Sequence, residues 1–440
     1  MNRYLKYLVI SIFTIVIGSL SSPHAIGAGI SAEMKSQPLN IVLITISSLR
    51  ADHVGCLGYH RDTTAAFDSF AKEGILFTQA FATSGWMMPA HGSIFTSLHP
   101  DSHGATHIDK KLGSQHKTLA EILNAIGYIT VGFCFNPRLD SEHGFERGFE
   151  LYDDYSAAMI LQSMAFDSEP IDINKHRTND LINTAAVAWI NKNEKHPFFL
   201  FLHYYDNHWD HLPISPYDKL YDPKYDGQID GRNIAREPLF SNPPDDDGLK
   251  HMIALYDGQI RRTDDDLAIL LNALKKKQLF ENSIIIILAD HGEQFYEHGH
   301  TSHQGLFEEL IHIPLAIRIP GTQIQPAEVD ALVSQIDILP TILDYLSITI
   351  PNQCQGKSLM PLIEGKTDKI NDFIFAQYSA GAIPDCYVAR SKKYKCYLTN
   401  SERYAFDMEA DPGELTRIMS HEFPEHARIL SEKLSELLMH

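Results

Sequence analysis

The chain predicts an α/β architecture: a large sheet flanked by helices on both faces, followed by a smaller α+β unit. Three observations predict it. The runs at 40–46, 197–203 and 283–289 are continuously apolar, β-branched or aromatic, and read as strands buried on both faces. Stretches with helical spacing of apolar residues separate them, the alternation expected when helices cover a mostly parallel sheet. From about Gln353 the texture changes to short strand-like runs at 374–377, 386–390 and 394–398, closed by an amphipathic helix over 424–438.

The remaining elements follow in order. A polar linker over 29–37 leads into the first strand, Asn40 to Ile46. Residues 63–73 have helical spacing and stop at Gly74, and 75–82 form a second strand. Pro89 suits the first turn of a helix running to about Ser97, because its missing N–H is unpaired there anyway. A helix over 119–126 ends at Gly127, and 129–135 is a strand. A helix over 179–193 precedes the strand at 197–203. The Pro-, Asp- and Tyr-rich stretch 210–247 reads as a surface excursion, and a helix over 249–277 delivers the chain to the strand ending at Asp290.

With 440 residues the chain is long enough for one large domain and one small one, divided here as 38–350 and 351–440. A formal charge of −19 argues against nucleic-acid binding, and there is no basic stripe. Arg3 and Lys6 precede an apolar run from Tyr7 to Leu20 and a small-residue exit near Ala28, which reads as a signal peptide over 1–28. The run is shorter than the ~20 residues of a spanning helix. Cleavage and export to the periplasm or exterior are expected, with an uncleaved anchor as the rival. No later segment is apolar enough to span. Export permits disulfides, and Cys386 with Cys396 is the candidate pair. The competing reading is that all five cysteines are small buried hydrophobes.

In an open α/β sheet, ligands gather at the carboxyl ends of strands. Four segments sit at such ends: 47–50, 87–91, 203–208 and 290–303. With their flanks they read Asn40-Ile-Val-Leu-Ile-Thr-Ile-Ser-Ser-Leu-Arg50, Pro89-Ala-His-Gly-Ser-Ile-Phe-Thr-Ser-Leu-His-Pro100, Phe199-Leu-Phe-Leu-His-Tyr-Tyr-Asp-Asn-His208 and Asp290-His-Gly-Glu293. Gly144-Phe-Glu-Arg-Gly-Phe149, Glu297-His-Gly-His300, Glu308-Glu309 and Asp411-Pro-Gly-Glu-Leu415 accompany them. Together, from about residue 39 to 420, they resemble the sulfatase family of the alkaline-phosphatase superfamily. That resemblance implies a large mixed, mostly parallel sheet flanked by helices.

It also implies site residues, position by position. Asp290 matches a carboxylate that holds a divalent cation, usually Ca²⁺, and His291 a ligand beside it. Ser47 and Ser48 occupy seats where the family places Asp, so the cage loses negative charge and Ca²⁺ binding is expected to weaken. The nucleophile's seat, two residues before Pro89, holds Met87, whose thioether can neither ionise nor attack. The Cys-x-Pro-x-Arg modification signature is absent, His91 standing in its Arg position, so no formylglycine is expected. His208 matches a histidine that contacts the ester oxygen. His303 lies near the position of a Lys or His that protonates the leaving group, a role open to an imidazole. Asn136 lies where many relatives carry a Gly-Lys-Trp-His segment, and Arg50 either contacts an anion or serves a cap or salt bridge.

The expectation is a sulfuric-ester-hydrolase fold that has lost its covalent chemistry and retains binding of a sulfated or phosphorylated small molecule or glycan. The alternative is an active sulfate- or phosphate-ester hydrolase using a metal-activated water. Two acidic clusters carry no site in this reading: 245–247 is a solvated loop and 264–266 a helix face. Lys275 to Lys277 close the same helix, where cations suit the dipole.

Overall fold

The computed structural model describes residues 39–107, 109–136, 138–154, 178–320, 327–379 and 385–438. The expected signal peptide and linker lie outside them. Among the described residues, eleven strands precede residue 350: β1 (Asn40–Ile46), β2 (Ile75–Phe81), β3 (Ile129–Cys134), β4 (Leu151–Asp153), β5 (Phe198–Tyr204), β6 (Ser283–Ala289), β7 (Gln294–Phe295), β8 (Thr301–Ser302), β9 (His312–Arg318), β10 (Ala327–Val329) and β11 (Val333–Ser334). All but β7 and β8 join one sheet in the order β10-β2-β9-β6-β1-β5-β3-β4, with β11 also on β2. Only β9 runs antiparallel to its neighbours, so the sheet is mixed and mostly parallel.

The strands at the centre are buried along their whole length, β1, β5 and β6 alike. Their register places the site. Ile46 lies opposite Tyr204 on one side and Ala289 on the other. Ser47, Tyr205 and Asp290 therefore leave the sheet at one carboxyl edge. The Ser47 N–H donates to the Tyr204 carbonyl and the Asp290 N–H to that of Ile46, extending the ladder one residue past the strands.

Helices form where the spacing places them, with ends adjusted by capping. The helix Ala65–Lys72 receives at its N-terminus the carboxylate of Asp264, which accepts from Ala66 N–H at 2.7 Å and Phe67 N–H at 2.9 Å. Asp264 thus does more than line a helix face, and its burial pushes its pKa up to about 7. The long helix Asp246–Lys276 starts three residues earlier than expected because Asp245 caps it, accepting from Gly248 N–H at 2.8 Å. The helix that carries Pro89 begins at Met87, with Pro89 at its third position. Gly92 on that helix has no room for a Cβ, which would lie 2.5 Å from the His103 ring packed against it. The excursion 210–247 is not wholly on the surface, since His211 and Ile234 turn inward and are buried.

The second sheet is antiparallel: β12 (Ile374–Tyr378), β13 (Cys386–Arg390), β14 (Tyr394–Thr399), β15 (Arg403–Asp407) and β16 (Ile418–Met419), in sequence order. Helix Glu425–Leu437 packs on β14 through Ala427, Leu430 and Leu434. A buried charge cluster joins this sheet to the first region: Lys395 contacts Glu308 at 3.2 Å and Glu414 at 3.0 Å, and Arg390 contacts Glu308 at 2.8 Å. Burial works to raise Glu308, but the two cations outweigh it and hold it at about 2. The candidate disulfide is not formed. Cys386 lies opposite Thr399 and Cys396 opposite Ala389, so the two thiols are out of register, and all five cysteines are free.

Among the described residues, no helix is long and apolar enough to cross a membrane. The apolar run at 7–20 lies outside them.

Candidate active site

Three strand ends and one helix start build the site. β1 supplies Thr45, Ser47 and Ser48; β5 supplies His203 and the turn to His208; β6 supplies Asp290 and His291; the helix Met87–Thr96 supplies Met87 and His91. The residues singled out in the sequence converge here, with Asn136 just beyond β3 and His303 just beyond β8. His208, at 8% exposure, is the most open of them, and Asp290, His291, His91, Asn136, Ser47 and Ser48 are fully buried.

Around Met87 the polar atoms form a closed circuit. His91 Nδ1–H donates to the Met87 carbonyl at 2.8 Å, so the other nitrogen of a neutral ring, Nε2, carries a lone pair. That nitrogen accepts from the Thr45 hydroxyl at 3.0 Å. Thr45 Oγ1 in turn accepts from His203 Nδ1–H at 2.8 Å. His203 Nε2 then faces the Asn136 side-chain amide at 3.4 Å, and the same amide nitrogen donates to the Met87 sulfur. Asn136 is held in this orientation because its carbonyl oxygen accepts from Arg138 N–H at 2.9 Å. Burial lowers both imidazole pKa values. For His203 the neighbouring His91, His291 and His208 add to the effect, while the nearby Asp290 partly opposes it at His91. Both rings are neutral, as the circuit requires.

The opposite wall is built differently. Ser48 holds a left-handed backbone, φ 52°, which non-glycine residues seldom adopt. Its N–H donates to Asp290 Oδ1 at 2.9 Å, where His291 N–H also donates at 2.8 Å. Asp290 Oδ2 has no hydrogen-bond partner, nor have the Ser47 and Ser48 hydroxyls. His291 Nδ1–H donates to the Gly292 carbonyl at 2.8 Å, leaving Nε2 bare and 3.7 Å from Asp290 Oδ2. His208 repeats the pattern, with Nδ1–H on the Trp209 carbonyl at 2.8 Å and an unpartnered Nε2. Burial lowers the pKa of both histidines, strongly for His208, where the His303 ring 5.1 Å away adds to the effect.

The His303 ring lies 4.6 Å from that of His291, tilted to it, and edge-on to His208, and its Nδ1 lies 3.5 Å from Glu293 Oε2. Burial works to raise the Glu293 carboxyl, but His303, with His211 and His291 behind it, holds it below the usual range. Arg50 takes the salt-bridge alternative. It contacts Asp52 at 2.7 Å and Glu297 at 2.5 Å, and donates to the Glu293 carbonyl.

Thr45, His203 and Glu293 carry no role in the sequence reading. The signal for the first two was present, because a Thr and a His inside aliphatic strands must find buried partners. A hard cation fits the donor set poorly. Ca²⁺ takes 6–8 oxygens, several of them charged, whereas the unpartnered charged oxygen on this wall is Asp290 Oδ2, flanked by two hydroxyls and an imidazole nitrogen. One donor atom each from His91, His203 and Asp290 lie within 4.8 Å of one another, the grouping in the site that could hold a metal ion.

The chain is similar to known proteins in sequence and fold. The sulfatase family model matches residues 39–348, and the C-terminal model of N-sulphoglucosamine sulphohydrolase matches 296–440. The chain is 25% identical to an arylsulfatase of Clostridium perfringens over 87% of this chain and 90% of that one. It is 24% identical to a Δ4,5-hexuronate-2-O-sulfatase of Bacteroides thetaiotaomicron over 92% and 89%. Among solved structures, a phosphonate monoester hydrolase of Agrobacterium radiobacter superposes with a TM-score of 0.76 at 19% identity, covering 91% of this chain and 95% of that one. A structure in complex with its substrate D-glucosamine-2-N,6-O-disulfate superposes at 0.75 and 19%, covering 91% and 97%. With the family model spanning most of the folded chain, over the strand ends that converge on Asp290 and Met87, this protein belongs to the sulfatase family, within the alkaline-phosphatase superfamily.

Proposed function

We propose that this protein is an exported member of the family that has lost covalent ester hydrolysis and binds a sulfated or phosphorylated sugar or small molecule. The observation that carries the reading is Met87. It stands at the start of the helix where a nucleophile would sit, it is 3% exposed, and its sulfur is held by Asn136. A thioether has no proton to lose and no nucleophilic oxygen or thiolate to offer. Ser47 and Ser48, in place of carboxylates, remove the charge that would seat a hard cation beside it. Ligand binding is supported by the unpartnered atoms of Asp290, His291 and His208, which a native interior rarely tolerates unless a ligand or water meets them. A helix N-terminus at the same edge favours an anion. The bound sulfated sugar of the structural relative belongs to the same chemical class.

The second reading, an active hydrolase with a metal-activated water, rests on those same bare nitrogens and on His303 with Glu293 behind it. Turnover of an aryl sulfate and an aryl phosphate separates the two. The first reading expects no hydrolysis above that of Asp290→Ala, together with calorimetrically detectable binding of a sulfated glucosamine. Turnover abolished by Asp290→Ala establishes the second. Met87→Thr combined with Ser47→Asp is expected to gain phosphate-ester hydrolysis, since it returns a hydroxyl and a carboxylate to the two altered seats.

A further inference from the structure

We propose that His91, His203 and Asp290 form a site for a nitrogen-preferring divalent ion of the zinc class, with His291 as an adjoining donor. The site lies between the two walls, and its ligands differ from the oxygen cage the fold would otherwise carry. One donor atom from each of the three lies within 4.8 Å of the others, and all three residues are fully buried. Donors around a tetrahedral zinc ion, each about 2.0–2.1 Å from the metal, sit about 3.4 Å apart, so modest side-chain rotations close the set.

The second shell points the same way. A metal-ligating histidine typically gives its other N–H to a backbone carbonyl, which fixes the ring and bares the ligating nitrogen. His291 does this with the Gly292 carbonyl and its Nε2 is bare, while His91 gives its Nδ1–H to the Met87 carbonyl and directs Nε2 at the Thr45 hydroxyl. Independently of the cluster, Asp290 Oδ2 and His291 Nε2 are buried, 3.7 Å apart, and have no hydrogen-bond partner. Two such atoms left facing each other need a cation or a donor between them.

The donor chemistry sets the preference. Imidazoles with a single carboxylate suit zinc and its late first-row neighbours, whereas Ca²⁺ and Mg²⁺ favour oxygen. Loading asks two changes of the circuit, the first being that Thr45 turns its hydroxyl away from His91 Nε2, from which it is 3.0 Å. The second is that His203 passes to its other neutral tautomer, losing the Nδ1 proton and gaining one at Nε2 by exchange with water, which frees Nδ1 from Thr45, gives up the 3.4 Å contact with Asn136 and leaves the Asn136 carbonyl anchored on Arg138.

This inference does not rest on the loss of catalysis, because it is read by binding. The full protein is stripped with a chelator and dialysed against Zn²⁺, Ca²⁺ or Co²⁺. The expected result is a single equivalent of Zn²⁺ that a roughly hundredfold excess of Ca²⁺ does not displace, in keeping with the ligand preferences. Co²⁺ is expected to give the intense visible bands of a four-coordinate nitrogen and oxygen site. His203→Gln and His91→Gln are each expected to weaken Zn²⁺ binding about tenfold or more, the scale of effect at such sites, with circular dichroism checking the fold. Displacement by Ca²⁺, or Zn²⁺ binding that survives replacement of both histidines, overturns the proposal. Should the variants fail to fold, a weak six-coordinate Co²⁺ spectrum in the unaltered protein overturns it as well.

Discussion

The two walls of the site differ in how they treat their polar atoms. On the Met87 wall, the donors and acceptors from the Met87 carbonyl through His91, Thr45, His203 and Asn136 to the Met87 sulfur are joined in one ring. On the Asp290 wall, Ser47, Ser48, Asp290 and His291 each leave a buried atom without a partner. The first is a finished interior, closed around an inert side chain. The second keeps the unmet hydrogen-bonding capacity of a place where something binds. Under the proposed function, Met87 marks a nucleophile seat taken into the core, while the side of Asp290 keeps its open donors.

At neutral pH, breaking the closed wall is expected to have the largest effect. Thr45→Val keeps the shape of the side chain but leaves His91 Nε2 and His203 Nδ1 buried without their shared partner. Each orphaned group costs about 1–3 kcal/mol, so for the two a loss of about 2–6 kcal/mol is expected in denaturant unfolding. A change under ~0.5 kcal/mol would show that the ring does not hold the wall together.

The second expectation concerns pH. His103 packs beneath the same helix, with Nε2–H on the Pro89 carbonyl at 3.1 Å and Nδ1 accepting from Ala105 N–H at 3.1 Å. Burial lowers its pKa to about 3. Because the folded value lies below the unfolded one, its stabilising contribution is present above pH ~6.5 and is lost as pH falls toward 3. Relative to His103→Gln, the unaltered protein should lose up to about 1.4 kcal/mol per pH unit across that window. Parallel stability curves for the two proteins would refute this.

The smallest effect, and the one of opposite kind, belongs to the open wall. Ser47→Ala removes a buried hydroxyl that has no partner, so stability should stay within ~0.5 kcal/mol or rise slightly. A loss comparable to that of Thr45→Val would mean that the Ser47 hydroxyl is engaged and the contrast between the walls is false.

Much of the fold was legible because burial writes itself into local composition. The strands β1, β5 and β6 are uninterrupted apolar runs, and their observed bounds fall within a residue of those expected. β9 escaped notice although it lies between β2 and β6: Pro314 interrupts a short apolar run bounded by His312 and Arg318, and a proline inside a run argues against a central strand. The disulfide candidate failed for a related reason. Sequence spacing suggested a hairpin, but only pairing register decides which residues face each other, and it sets Cys386 opposite Thr399.

For the site, the sequence by itself singled out Met87, Ser47, Ser48, Asp290, His291, His208 and His303 as candidates, and the fold brings them to one sheet edge. Those depend on residue chemistry at matched positions. Tertiary structure alone decided that Thr45 and His203 complete a ring around Met87, that Arg50 is bound to Asp52 and Glu297, and that Asp290 Oδ2 and His291 Nε2 remain open. The reason is physical. Which nitrogen of an imidazole carries its proton, and which oxygen of a carboxylate is free, depends on partners contributed by strands more than a hundred residues apart in sequence, such as Thr45 and His203.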